Sequence, residues 1–152
     1  MAKKALRYGI CAVAVGLLAA QFFQTPRTNP PADPSASFEL VAKPSREVAG
    51  VVSRACGDCH SNRTVWPWYS HIAPVSWVTA SDVMEGRSKL NFSQWNIYSP
   101  EMTRIKLGKI CEEVKKGEMP PWYFLPMHPD AKVTPLEVSA LCSASVAQTR
   151  QD

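Results

Sequence analysis

Cys56-Gly57-Asp58-Cys59-His60 decides how this chain is read. Two thiols one helical turn apart can each add across a vinyl group of one haem. The next side chain, an imidazole, then lies under the iron, so the spacing reads as a c-type haem attachment site. Other uses of the two thiols fit less well. A structural zinc site takes four ligands, usually as two close pairs, and no second Cys-x-x-Cys follows; Cys111 and Cys142 would complete only a scattered set. A thioredoxin-like dithiol wants a strand before it, and Val48 to Ala55 reads as helix. A plain disulfide within a helical turn is sterically poor and leaves His60 unexplained.

Upstream, Ser45 after Pro44 is placed to cap a helix running to about Ala55. Val48, Val51, Val52 and Ala55 give it one apolar stripe beside the porphyrin edge. Before it, Gln24 to Pro44 holds five prolines among small polar residues and reads as an extended tether, with the place of Phe38 to Val41 open. The chain starts with Lys3, Lys4 and Arg7 and an uncharged run from Tyr8 to Phe23. This is a signal peptide or a short membrane anchor. The poor cleavage context around Ala19 and Ala20 favours a retained anchor, with all that follows exported to the periplasmic side of the inner membrane. Residues 1–23, 24–44 and 45–147 are thus read as leader, tether and haem domain.

Downstream, Trp66-Pro67-Trp68 and Pro74 argue against regular structure until Pro74 opens a second helix, Val75 to about Glu85, stopping near Gly86. Trp66, Trp68 and Trp77 are candidates to wall the haem and bond a propionate, or are ordinary core aromatics. Arg63 and Arg87 are further candidate propionate partners. After a linker from Leu90 to Tyr98, Ser99-Pro100 starts a third helix to Lys116, closed by Gly117. Thr134 and Glu137 form a capping box for a last helix to about Ala147. No strand pattern of convincing length appears, so the fold is expected to be all-α.

An iron with one histidine needs a sixth ligand or an open position. Met119, in Gly117-Glu118-Met119-Pro120-Pro121, is the favoured thioether, because two prolines stiffen the loop that presents it. The reading without a ligand role is a methionine filling a core gap. His128, His71, Met84, Met102 and Met127 are its rivals. Cys111 and Cys142 lie on the last two helices. They form a disulfide, remain two small buried thiols, or face a redox partner.

Of the four net positive charges, Lys3, Lys4 and Arg7 supply three. No basic face for nucleic acid is left over. The expected function is electron transfer by a monohaem c-type cytochrome, not an enzyme, with a haem-based sensor or a small peroxidase as the alternatives.

The residues Cys56…Cys59-His60-Ser61-Asn62, Trp66-Pro67-Trp68-Tyr69-Ser70, Ile72-Ala73-Pro74, Ser76-Trp77, Leu90-Asn91-Phe92-Ser93…Trp95, Gly117…Met119-Pro120-Pro121 and His128-Pro129 occur together. From about Phe38 to Leu141 the chain resembles the small bacterial haem-binding domain proteins, relatives of class I cytochromes c. The resemblance implies a class I cytochrome c-like domain around one covalent haem c, with His60 as proximal ligand, and an exported location. By analogy with class I cytochromes it also implies Met119 as distal ligand and electron transfer as the role; it names no redox partner. Cys142 departs from the family, standing where a bulky apolar residue is expected.

Overall fold

The structure is a computed structural model that describes residues 2–148, the last four as backbone only. Every regular element among the described residues is helical, as the missing strand pattern predicts. The α-helices in chain order are α1 (Ala2–Ala20), α2 (Phe38–Val41), α3 (Arg46–Val51), α4 (Gly57–His60), α5 (Val75–Lys89), α6 (Pro100–Lys116) and α7 (Pro135–Gln148).

Local sequence explains most of these boundaries. Ser45 accepts a hydrogen bond from the Val48 amide (3.2 Å) at the start of α3, and Ser99 accepts one from Met102 (3.2 Å) at the start of α6. Gly117 closes α6 at φ +73°, a conformation that favours glycine. The capping box of α7 forms as read: Glu137 accepts from the Thr134 amide (2.8 Å), and Thr134 Oγ1 accepts from the Glu137 amide (3.4 Å). Cys111 on α6 and Cys142 on α7 are joined by a disulfide, with their Cα atoms 4.8 Å apart. Of the three readings the sequence left open, the bridge is the one realised.

The core joins α3, α6 and α7 to the turns after α5. Phe38, Val48, Val51, Phe92, Trp95 and Leu107 are all buried there. Phe92 stacks on Trp95 (centroids 5.6 Å), and Phe38 meets Trp95 edge-on at 4.7 Å. Phe38, which the sequence left unplaced, is therefore a core residue. The Cys56–His60 stretch touches this cluster directly, with the His60 ring edge-on to Phe92 at 6.4 Å.

One expectation is corrected here. Helix α5 does not stop near Gly86 but runs on to Lys89. The 24–44 segment, read as an extended tether, lies against the domain. Arg87 donates to the Thr28 carbonyl (2.9 Å) and to Asn29 Oδ1 (2.7 Å). Asn29 Nδ2 donates to the Thr64 carbonyl (2.9 Å), and Asn62 Nδ2 donates to the Pro31 carbonyl (3.0 Å). Prolines keep residues 24–33 free of helix, and side chains of the domain capture the Thr28 and Pro31 carbonyls. The docking reaches the leader: the side-chain amide of Gln21 both donates to and accepts from the Ala73 backbone at 3.0 Å. As for the expected anchor, no helix among the described residues is long and apolar enough to cross a membrane. Lys3, Lys4 and Arg7 fall inside α1 and shorten its uncharged part.

Candidate functional site

Between α3 and α4 the helix widens into a π-turn over Val52–Cys56. A π-turn inserts one residue into the helical ladder and rephases every side chain after it. The apolar stripe of α3 stays on the core while Cys59 and His60 turn into a cleft. Past His60 the chain leaves the helix in extended conformation at Ser61. That exit is fixed by Asp58, whose carboxylate accepts from the Val65 amide (2.9 Å). Arg87 Nε adds a bond to the Ser61 carbonyl (2.7 Å).

His60 is held in one tautomer. Its Nδ1 lies 2.9 Å from the Gly86 carbonyl and 3.2 Å from that of Leu90. Carbonyls only accept, so Nδ1 carries the proton and Nε2 keeps a free lone pair. Burial lowers the pKa of His60 further below its ordinary value, which favours the neutral, ligating form. Burial pushes the Cys56 thiol up to about 12, and burial with the nearby Asp82 and Asp58 carboxylates pushes Cys59 up to about 11. Both thiols are therefore protonated at neutral pH, unlike those of a nucleophilic dithiol. No group of three or more His, Cys, Asp or Glu side chains among the described residues could hold a metal ion.

Two adjoining clefts open beside the motif. The first, about 160 Å³, brings Cys59 and His60 together with Gly86 of α5 and with Met119, Pro121 and Tyr123 of the loop after α6. The second, about 340 Å³, is walled by Trp68, Tyr69, Val78, Val83, Met127 and His128. Asp58, Cys59, Asp82, Tyr123 and Phe124 form the partition common to both. Together they reach the size at which proteins hold cofactors, roughly 300–1,000 Å³.

Met119 reaches the first cleft because α6 stops cleanly. Beyond Gly117, the amides of Glu118 (3.0 Å) and Met119 (3.4 Å) both turn back to the Glu113 carbonyl, and Pro120 is buried. An imidazole with a free Nε2, a thiol and a thioether around one largely apolar cleft is a donor set suited to the iron and edge of a tetrapyrrole. The residues fit such a group.

Other candidates are placed elsewhere. Cys56 packs against the core and walls neither cleft. Trp68 lies on the second cleft, still 67% exposed. Trp66 walls neither cleft, and its buried indole N–H has no partner among the described residues. Trp77 donates its N–H to the Phe23 carbonyl (2.5 Å) and walls neither cleft. Arg63 is exposed and pairs with Glu39 at 3.5 Å, away from both clefts. Arg87 has its donors committed to Ser61, Thr28, Asn29 and Thr64.

The rivals of Met119 are also placed. His71, Met84 and Met102 are exposed outside both clefts. Met127 walls the second cleft. His128 stands there too, bonded through Nε2 to the Tyr69 hydroxyl at 2.6 Å and stacked on Phe124 at 3.9 Å. Sequence reasoning missed Gly86, Tyr69, Asp82 and Tyr123. Only Tyr123 carried a signal, its nearness to Met119-Pro120-Pro121.

A family model described as a haem-binding domain matches residues 15–145. No curated protein and no solved structure matches the chain.

Proposed function

The chain belongs to the haem-binding domain family, and from that premise we propose that it is a monohaem c-type cytochrome that transfers electrons. One observation carries this: His60, in its Nε2-ligating tautomer, and Met119 face one cleft. Cys59 stands in the same wall, and Cys56 supplies the second thiol of the attachment pair from the edge of the core. Bound there, haem c supplies reversible one-electron chemistry at its iron.

The protein's own residues do the rest. The Gly86 and Leu90 carbonyls orient His60 and raise its basicity as a ligand. Met119, as a neutral thioether, favours the ferrous state and raises the potential. Phe124 and Tyr123 stand in the wall common to both clefts. A peroxidase would need a distal acid–base group beside an open iron. That His71 is on the surface and His128 is bonded to Tyr69 supports the carrier reading.

The workplace proposed is the periplasmic side of the inner membrane, to which residues 1–23 direct the domain. The Cys111–Cys142 bridge supports an oxidising compartment. A protein redox partner is the expected donor or acceptor.

The test compares wild type with Met119→Ala, each matured with the c-haem attachment machinery. The expected wild type has a low-spin ferric spectrum and resists carbon monoxide, while the variant takes it readily. A five-coordinate wild type would shift the reading to a sensor or an enzyme.

A further inference from the structure

The loop from Met119 to His128 joins α6 to the 3₁₀ turn Pro129–Ala131 and contains no helix. Its internal hydrogen bonds are short-range turns: Phe124 N to Pro121 O (3.0 Å), Met127 N to Phe124 O (3.2 Å) and His128 N to Leu125 O (3.1 Å). These give the loop a shape; only at its start is the backbone tied to a helix, through the Met119 amide and the Glu113 carbonyl of α6 (3.4 Å). Met119 itself is 38% exposed, so burial does not wedge it in place. The rest of the loop is braced across the cleft by two side-chain bonds. Tyr123 Oη donates to Asp82 Oδ2 on α5 (3.2 Å), and Tyr69 Oη pairs with His128 Nε2 (2.6 Å).

Asp82 is one turn before Gly86 on the same face of α5, and the Gly86 carbonyl holds His60. One rigid helix therefore references both the imidazole and the loop bearing the thioether. An iron–thioether bond is weak and forms only where the sulfur is held ready, because ordering a loose loop would cost more than the bond returns. We infer that Tyr123 with Asp82, and Tyr69 with His128, are positioning residues that hold Met119 at its working distance from His60 across the cleft. This rests on the His60/Met119 reading above.

The experiment uses the full haem-loaded chain with Tyr123→Phe, Tyr69→Phe, Asp82→Ala and the Tyr123→Phe/Asp82→Ala pair. Each tyrosine change deletes one hydroxyl and leaves the ring. Haem attachment is read on a denaturing gel, folding by circular dichroism, and ligation by the weak red band of thioether-bound ferric haem and by carbon monoxide affinity. Loss of the neutral Tyr69–His128 bond should raise the open-ligand fraction, and with it carbon monoxide affinity, about three- to tenfold, and loss of the Tyr123 bond to the Asp82 carboxylate about tenfold or more. The double variant should show no more than its stronger single, as expected if both act through one bond. The red band should weaken in step, with haem content and fold unchanged.

Wild-type ligation in all the singles would overturn the inference. So would loss of haem content or of fold in the tyrosine variants, since that marks a purely structural role. A wild type without the thioether band would instead overturn the reading on which the inference rests.

Discussion

The Cys59 carbonyl oxygen stands 2.6 Å from where a Cβ on Gly86 would be, and the carbonyl carbon 3.0 Å away. Helix α5 can lie directly on the attachment motif only because residue 86 has no side chain. That contact also brings the Gly86 carbonyl within 2.9 Å of His60 Nδ1. The obstacle is backbone, which cannot swing aside as a flexible side chain would.

Gly86→Ala should therefore push α5 off the motif. Overpacking of this kind costs about 1–3 kcal/mol. The expected outcome is a lower thermal midpoint and a reduced yield of covalent haem, measured by melting and by haem staining of denaturing gels. An unchanged haem yield would mean that α5 does not position the motif.

Arg87 ties the 28–31 segment to the loop that follows His60, through the Ser61 and Thr28 carbonyls and Asn29. Arg87→Gln keeps polarity but loses the fork and its charge. Charge-assisted bonds are each worth about 1.5–3 kcal/mol, and partial exposure brings the expected loss to about 2 kcal/mol. Hydrogen exchange should rise at amides around Thr28–Asn29 and Asn62–Val65 together. Exchange that rises in only one of the two would show that Arg87 does not couple them.

The Cys111–Cys142 bridge closes a loop with a sequence separation of 31. Replacing both cysteines by serine should cost about 2–4 kcal/mol of stability while leaving haem attachment intact, since the bridge lies between α6 and α7 and not at the clefts. Denaturant titration of oxidised, reduced and double-serine protein provides the check. Reduced and double-serine forms should coincide.

Acid should loosen the start of α7. A hydrogen bond from Arg54, followed by one from the Thr134 amide, holds Glu137 at a pKa of about 2, against an ordinary 4.5. A native pKa below the unfolded one means a contribution fully present above about pH 4.5 and lost as pH falls towards 2. Wild type should lose thermal stability over that window more steeply than Glu137→Gln, and the two should converge near its lower end. Parallel curves would show that the pair contributes nothing to folding.

The caps at Ser45, Ser99 and Thr134, and the glycine stop at 117 were legible in the sequence because each is a local rule. A hydroxyl reaches an amide three residues away, and a residue at positive φ is cheapest as glycine. The thioether candidate was legible for a related reason, since a helix end followed by two prolines fixes a short loop without outside help.

Gly86 was misread by the same logic. A glycine in a helical pattern is ordinarily a stop, and nothing nearby in sequence reveals a carbonyl from residue 59 lying against it. Where Arg63, Trp77 and Arg87 place their donors was not legible, because donors satisfy whatever acceptor packing delivers. Trp77 met the Phe23 carbonyl, and Arg87 met the carbonyls of the 28–31 segment. The Tyr69–His128 contact has a separation of 59.

The sequence by itself determined the all-helical class, the capped starts of α3, α6 and α7, and the glycine end of α6. These depend on interactions within one or two turns. Only the tertiary structure decided which donors remain free at the cleft, how closely α5 approaches the motif, and what braces the loop of Met119. Those outcomes arise from long-range packing, where each polar group pairs with the partner that the rest of the chain brings within reach.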